Sequence, residues 1–389
     1  MKHLCRITLA MGCLSLLLSQ GVFAKSYLVH SPSSFSEALS SAVAGDSILI
    51  EAGDYKDWTV EIEAKGSESQ PITIKPEKAG RVTFSGSSHF VIKGQYIHLE
   101  GLRFAEFQMN DRSTIEFEGA KYCQLLHSSF QNAEGNRPVV RFRAGAQYNS
   151  LDDCEFINIA GRSVHVQVNE TTKEYGVSSH NTIRNNLFRD IPPLGANGRE
   201  TVKIGQSQPE FGHIKTYTLI ENNTFVRANG EGEIISNKSS YNTYRGNTFL
   251  DCQGELVMRG GSYCVIENNR FSNCTGGIRL SGTHHTVKNN VILNPQRTGI
   301  RLLYGMTREQ GGHYQAVSHC LISHNTIAHA GEAGIFIGAG RGRDWQEKGL
   351  QNMAPQNNHF EHNLIQAENG DHIRDDQAPD NLILNNLLR

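Results

Sequence analysis

A four-residue phrase recurs along this chain and limits its fold more than any other feature. It reads Asn185-Asn186-Leu187-Phe188, Asn222-Asn223-Thr224-Phe225, Gly246-Asn247-Thr248-Phe249 and Asn268-Asn269-Arg270-Phe271. It continues as Asn289-Asn290-Val291-Ile292, His324-Asn325-Thr326-Ile327, His362-Asn363-Leu364-Ile365 and Asn385-Asn386-Leu387-Leu388. Upstream, Phe104, Phe130 and Phe156 hold the same phase without the asparagine. From Phe104 to Leu388, most steps between the last residues of successive phrases are nearly equal, and the rest are clearly longer. A near-constant minimum with occasional excursions marks a coil that takes loop insertions at one corner. A leucine lattice and a 3.6-residue period are both missing. Segments such as Tyr263-Cys264-Val265-Ile266-Glu267 instead read as short strands set between Gly/Asn/Ser turns. Asparagine suits a tight corner because it tolerates left-handed backbone and bonds neighbouring peptide groups. Stacked once per coil, the asparagines form a ladder while the Phe/Ile column fills the interior. The pattern predicts an all-β, right-handed parallel β-helix with about 23 residues per coil and roughly a dozen coils.

The 389 residues carry no linker, low-complexity tract or second repeat type. Residues 1–24 read as a signal peptide: a basic start at Lys2 and Arg6, an apolar run from Ile7 to Leu18, and Val22-Phe23-Ala24 before Lys25. The apolar run falls short of the roughly 20 residues that span a bilayer, and no later segment is apolar enough. The expectation is an exported protein, periplasmic or secreted, with residues 25–389 as one β-helix domain and no membrane contact after cleavage. Ser34-Phe35-Ser36-Glu37 reads as a capping box before a short amphipathic helix, which would plug the open end of the coil. Of the eight cysteines, Cys123, Cys154, Cys252, Cys264, Cys274 and Cys320 follow the signal segment, with no metal-site or redox-motif spacing. They read as buried small hydrophobes. Cys252 and Cys274, one coil apart, read as vertical neighbours, either as thiols or as a disulfide.

A net charge of −2 provides no global field for nucleic acid, and no basic run or base-stacking motif is present. Function must therefore come from side chains on the solenoid surface. Asn197-Gly198-Arg199-Glu200 and Asn229-Gly230-Glu231-Gly232-Glu233 gather unusual polar residues within two coils. Glu231 and Glu233 share a face of an extended segment. Two readings stand: a solvated Gly/Glu turn, or a site for a hard cation such as Ca²⁺, with Asn197 and Glu200 as further ligands. Lys238, Arg259, Arg279 and Arg301 follow one another at nearly one coil length each. That spacing predicts one cationic column beside the carboxylates. It reads either as scattered surface charge or as a site for an acidic polymer.

In combination these segments resemble polysaccharide lyase family 6, which includes alginate lyases and chondroitinase B. The resemblance rests on Pro71-Ile72-Thr73-Ile74-Lys75-Pro76-Glu77, Glu200-Thr201-Val202-Lys203-Ile204-Gly205, Glu231-Gly232-Glu233 with Lys238, Leu256-Val257-Met258-Arg259-Gly260-Gly261, and Gly276-Gly277-Ile278-Arg279-Leu280. It covers the chain from about residue 26 to the end. It implies a β-elimination on alginate. Lys238 would be the base that removes the C5 proton, and Arg259 matches the residue proposed as acid. Because a guanidinium keeps its proton, charge stabilisation suits Arg259 better, with water or a tyrosine as donor. Glu231, Glu233, Asn197 and Glu200 would hold Ca²⁺. Arg279 would face the substrate carboxylate, with Arg301, Tyr304 and His285 at further subsites. Neutralising the uronate carboxylate eases loss of the C5 proton, and a lysine crowded by cations parts with its proton more readily. The chain departs from the family at Gly260-Gly261, where His often follows the Arg, at Asn237, usually apolar, and at Lys203, usually Arg. Other readings stand beside alginate lyase. They are a dermatan sulfate lyase using Arg297, Arg301 and Arg308, a non-catalytic polysaccharide-binding β-helix, and a hydrolase using Asp375-Asp376.

Overall fold

The computed structural model describes residues 24–389 except 196, 308–313, 347–348 and 368–369. Residues 1–23 of the expected signal peptide and Arg308 thus lie outside the described residues.

The chain winds into a right-handed parallel β-helix with three long sheets. Each coil contributes a strand to a 14-stranded first sheet, then to a 13-stranded second sheet, then to a 12-stranded third sheet. Pairing between successive coils is parallel throughout these sheets. One unbroken register in the second sheet runs Phe104, Phe130, Phe156, Phe188, Phe225, Phe249, Phe271, Ile292, Ile327, Ile365 and Leu388. That is the column marked by the sequence phrase. Its phenylalanines from 104 to 271 are fully buried and stack face to face, with centroids 4.4 to 5.1 Å apart. Offset stacking adds to the area each ring buries.

The two asparagines of the phrase do different work. The first turns the corner between the first and second sheets in left-handed backbone, with φ of 55 to 57° at Asn185, Asn222, Asn268 and Asn289. Asparagine, glycine and histidine share this position. The second points inward and forms the ladder. Asn247 Oδ1 accepts from the backbone N–H and side-chain amide of Asn223 (both 3.0 Å), while its Nδ2 donates to the Ile220 carbonyl at 2.9 Å. Asn269 and Asn290 repeat the pattern one and two coils on. Upstream, Ser128 and Cys154 take the same place. Asn247→Ala leaves a buried N–H and a buried carbonyl without partners. It is expected to lower unfolding free energy by about 1–3 kcal/mol, read by urea titration.

A second ladder lines the corner between the third and first sheets, through Asn149, Asn181, Asn242, His285, Cys320 and Asn358. The six cysteines among the described residues are free and buried, as hydrophobes should be. Cys252 and Cys274 are both free thiols, each donating to backbone carbonyls, which favours the thiol alternative over the disulfide.

The N-terminal helix spans Pro32–Ser41 and buries Phe35, Ala38 and Leu39 against the first coil. Its cap is Ser31, with Pro32 opening the first turn and Ser34 bonding back reciprocally. The cap therefore precedes the Ser34 that the sequence pattern suggested, because proline at the first helical position presets φ. Among the described residues no helix is long and apolar enough to cross a membrane.

Loop insertion is concentrated at one corner. Connections 167–181, 206–218, 304–320 and 340–358 all lie between the third and first sheets. The exception, 192–201, enters between the second and third sheets and carries Asn197 and Glu200.

Candidate active site

The outer face of the third sheet carries the candidate site, and strand Glu233–Lys238 is its centre. Ile235 and Asn237 are fully buried inside the coil. Strict alternation would send Glu233 to that side as well. One extra residue, Ile234, breaks the register against the next coil, where Glu233 pairs with Glu255 but Ile235 pairs with Leu256. Such a bulge re-aims a side chain. Here Glu233 joins Ser236, whose hydroxyl donates to Glu233 Oε2 at 2.5 Å.

Asn237 occupies a position expected to be apolar, and its amide is fully used. Oδ1 accepts from Asn242 (2.8 Å) and Tyr244 (2.9 Å), while Nδ2 donates to the carbonyls of Ser239 (2.8 Å) and Gly260 (3.0 Å). This buried network fixes the strand that presents Lys238. At Gly261, φ is 86° and a Cβ would lie 2.1 Å from the Ser239 carbonyl, so only glycine fits. A Cβ at Gly260 would meet nothing within 4 Å. The missing histidine therefore leaves open space beside Arg259.

Glu200, Glu231 and Glu233 converge, each offering an oxygen within 4.8 Å of the others. Asn197, exposed, lines the same open cavity of about 400 Å³ with Glu231, Glu233 and Gln253. Glu200 is buried and held at both oxygens. Lys238 Nζ donates to Oε1 at 2.8 Å, and Arg162 donates to Oε2 at 2.9 and 3.2 Å. Burial works to raise its pKa, but Lys238, Arg162 and Lys203 outweigh burial and hold the carboxyl well below the usual range. Glu233 is likewise lowered against burial by Arg279, Arg259 and Lys238.

Glu231 behaves differently. Burial and the charges of Glu200 and Glu233 raise it, opposed only by backbone N–H groups including that of Arg199 at 2.8 Å. A half-buried carboxylate with no side-chain cation among the described residues, beside two others, is a donor set that fits a hard divalent ion. Lys203 lies in the same charge cluster, where burial and then Lys238 push its ammonium down to about 8.

The predicted single cationic column is two short ones. Arg279 pairs directly with Arg301, whereas Arg279 sits across from Val257, two residues before Arg259. Asn237 pairs with Met258, which puts Lys238 beside Arg259 instead. The offset arises in the next coil, where Arg279 faces Val257 and the step from Arg259 to Arg279 is two residues short of that coil's length. Arg259 reaches Glu233 at 3.5 Å, and its guanidinium lies 5.1 Å from the centre of the Tyr314 ring. Arg279 bonds Glu233, and Arg301 bonds Glu255.

Two expected substrate contacts are placed elsewhere. His285 is 1% exposed and serves as a ladder member: Nδ1 accepts from the Cys264 N–H at 3.2 Å and Nε2 donates to the Ser281 carbonyl at 3.1 Å. Burial pushes it down to about 4, so it is a neutral stand-in for asparagine. Tyr304 is buried, and its hydroxyl donates to the carbonyls of Asp376 (3.1 Å) and Gln377 (2.8 Å), bracing the last coils. Neither side chain faces the carboxylate cluster. Sequence reasoning missed Arg162, Glu255 and Tyr314. Glu255 was accessible, since it follows Glu233 by one coil length.

A long parallel β-helix with carboxylates, a lysine and arginines grouped on one sheet is the architecture of a polysaccharide lyase, and comparison with known proteins agrees. The family model described as Chondroitinase B matches residues 29–386. The chain belongs to that family, polysaccharide lyase family 6, and is a lyase of uronate-containing polysaccharides. Among solved structures it is similar to the family 6 lyase Pedsa3628 from Pseudopedobacter saltans, at 30% identity and TM-score 0.82, over 93% of this chain and 92% of that one. It is similar to the alginate lyase AlyGC at 29% identity and TM-score 0.84, over 93% of this chain but 51% of AlyGC, so it spans about half of that protein. A mannuronic-acid-specific family 6 lyase from human gut microbiota matches at 27% identity and TM-score 0.79, over 91% of this chain and 83% of that one. No curated protein sequence matches the chain.

Proposed function

We propose that this protein cleaves alginate by β-elimination, with Lys238 as base and a Ca²⁺ site formed by Glu200, Glu231, Glu233 and Asn197. The observation that carries this reading is the adjacency of one amine to one carboxylate cluster. Lys238 Nζ lies 2.8 Å from Glu200, itself a member of the trio within 4.8 Å. A cation held there would neutralise the uronate carboxylate and stabilise the charge that develops when C5 loses its proton. Lys238 then takes the C5 proton, and the C4–O bond breaks without water. Arg259 stays charged throughout, since a guanidinium does not deprotonate in proteins. Its part is to stabilise charge, and the leaving oxygen takes its proton from water or from Tyr314, the tyrosine packed against Arg259. Arg279 and Arg301 extend the positive surface toward the next sugar carboxylate. The mannuronic-acid-specific and alginate-cleaving relatives support alginate as the polymer.

The test is ultraviolet absorbance of the unsaturated product, with alginate, polymannuronate, polyguluronate and dermatan sulfate offered separately, each with Ca²⁺ or a chelator. A rise on an alginate polymer that the chelator suppresses is expected. A rise on dermatan sulfate alone would replace the substrate, and a flat trace on all four would overturn the reading.

A further inference from the structure

Arg279 stands between two carboxylates but bonds only one of them. Glu233 Oε1 takes an N–H from Arg279, with Arg259 at 3.5 Å, while Oε2 is closed by Ser236. On the other side, Glu255 Oε2 lies 3.9 Å from Arg279 Nε, beyond hydrogen-bond reach. That Nε–H is buried and has no hydrogen-bond partner. Glu255 is itself 5% exposed, sits directly across from Glu233 in the neighbouring coil, and bonds Arg301. The chain also leaves room for it, because a Cβ at Gly276 would fall 2.6 Å from Glu255 Oε1.

We infer that Glu255 is a positioning residue for the cation site: it receives Arg279 when a divalent cation takes Glu233. The inference rests on the proposed Ca²⁺ reading of the Glu200/Glu231/Glu233 cluster. A guanidinium on Glu233 and a dication on the same carboxylate repel each other, strongly so where water is scarce. One must yield, and a buried arginine moves only if a second carboxylate meets it. Glu255 is in register, ionisable and already oriented by Arg301. The orphaned Nε–H is the bond that the move would complete. Without Glu255, Arg279 stays on Glu233 and opposes the cation.

The experiment is calorimetric titration of chelator-stripped mature protein with Ca²⁺ alone, in a double-mutant cycle over Glu255→Gln and Arg279→Gln. Glu255→Gln is expected to weaken Ca²⁺ about tenfold, within the usual range for directly coupled residues. Arg279→Gln is expected to bind Ca²⁺ at least as tightly as the wild type. In the Arg279→Gln background, the Glu255 substitution is expected to change nothing. Equal weakening in both backgrounds, or none in either, overturns the role given to Glu255. A merely structural role would lower thermal stability without this non-additivity. If Arg279→Gln fails to melt cooperatively, the Arg279 Nε–H resonance in the wild type answers the same question. It must shift on adding Ca²⁺ and shift less in Glu255→Gln, and an unmoved resonance overturns the inference. Should the wild type bind no Ca²⁺ at all, the cation reading itself fails, a result distinct from a failure of Glu255.

Discussion

Lys238→Ala is expected to cut turnover on alginate by about 10²–10⁴-fold, the range that a positioned proton-transfer group contributes. Ca²⁺ affinity should hold at or above the wild-type level. The two expectations pull apart because Lys238 has two parts, proposed base and partner of Glu200. Its amine is 3% exposed and donates to Glu200 at 2.8 Å. Removing it deletes the proposed base and also one of the cations that hold Glu200 far into its ionised form. Glu200 keeps Arg162 on its other oxygen, so the carboxylate stays ionised and becomes more available to a metal. A variant that merely misfolds would lose both properties. Lys203→Ala is the control, since Lys203 shares the charge cluster but pairs with Ser236, whereas Lys238 pairs with Gly205. Turnover that survives Lys238→Ala and disappears in Lys203→Ala would transfer the base to Lys203.

How far the sequence revealed these residues depends on whether a residue is fixed by its coil or by an irregularity. The β-helix was legible because the Phe/Ile column recurs from coil to coil, joined by the ladder asparagine from Asn186 onward. Steric and hydrogen-bonding demands at a two-residue corner admit few alternatives. The Glu231/Glu233 pair and Lys238 were legible for a similar reason, being close in sequence on strand Glu233–Lys238 and the turn that leads into it. The arginines were only half legible. Counting near-constant coil lengths predicts one column, but Arg279 faces Val257, two residues before Arg259, and an approximate count absorbs that slip. Arg162 lies 38 residues before Glu200. The intervening insertions 167–181 and 192–201 hide that it is one coil away. His285 misled for a chemical reason. An imidazole nitrogen accepts a backbone N–H as an asparagine oxygen does, so a ladder histidine resembles a catalytic one until both ring nitrogens are seen to be engaged.

Glu231→Gln is expected to raise the melting temperature of the metal-free protein near neutral pH while weakening Ca²⁺ by more than the roughly 10–100-fold that loss of an outer-sphere partner costs. The first half follows from the direction of its acidity. Burial and two neighbouring carboxylates raise Glu231, while its stabilising contacts are backbone N–H groups. A carboxyl raised in the folded state binds more protons there than in the unfolded chain. Its favourable contribution is therefore complete below the unfolded value and is lost as pH climbs through the folded one. At neutral pH the ionised Glu231 is thus a net cost, which glutamine removes. The stability gain should shrink as pH falls through the folded value, because the wild-type carboxyl is then neutral too. The second half follows from the donor set, since glutamine keeps an oxygen but not the charge that a hard cation needs. Wild-type Ca²⁺ affinity should also fall with pH, beginning above the ordinary carboxylate range, as protons compete for Glu231. Melting curves across pH with chelator, beside Ca²⁺ titrations, check both halves. A metal-free variant less stable than the wild type would contradict the repulsion among the three carboxylates. Undiminished affinity would place the cation elsewhere.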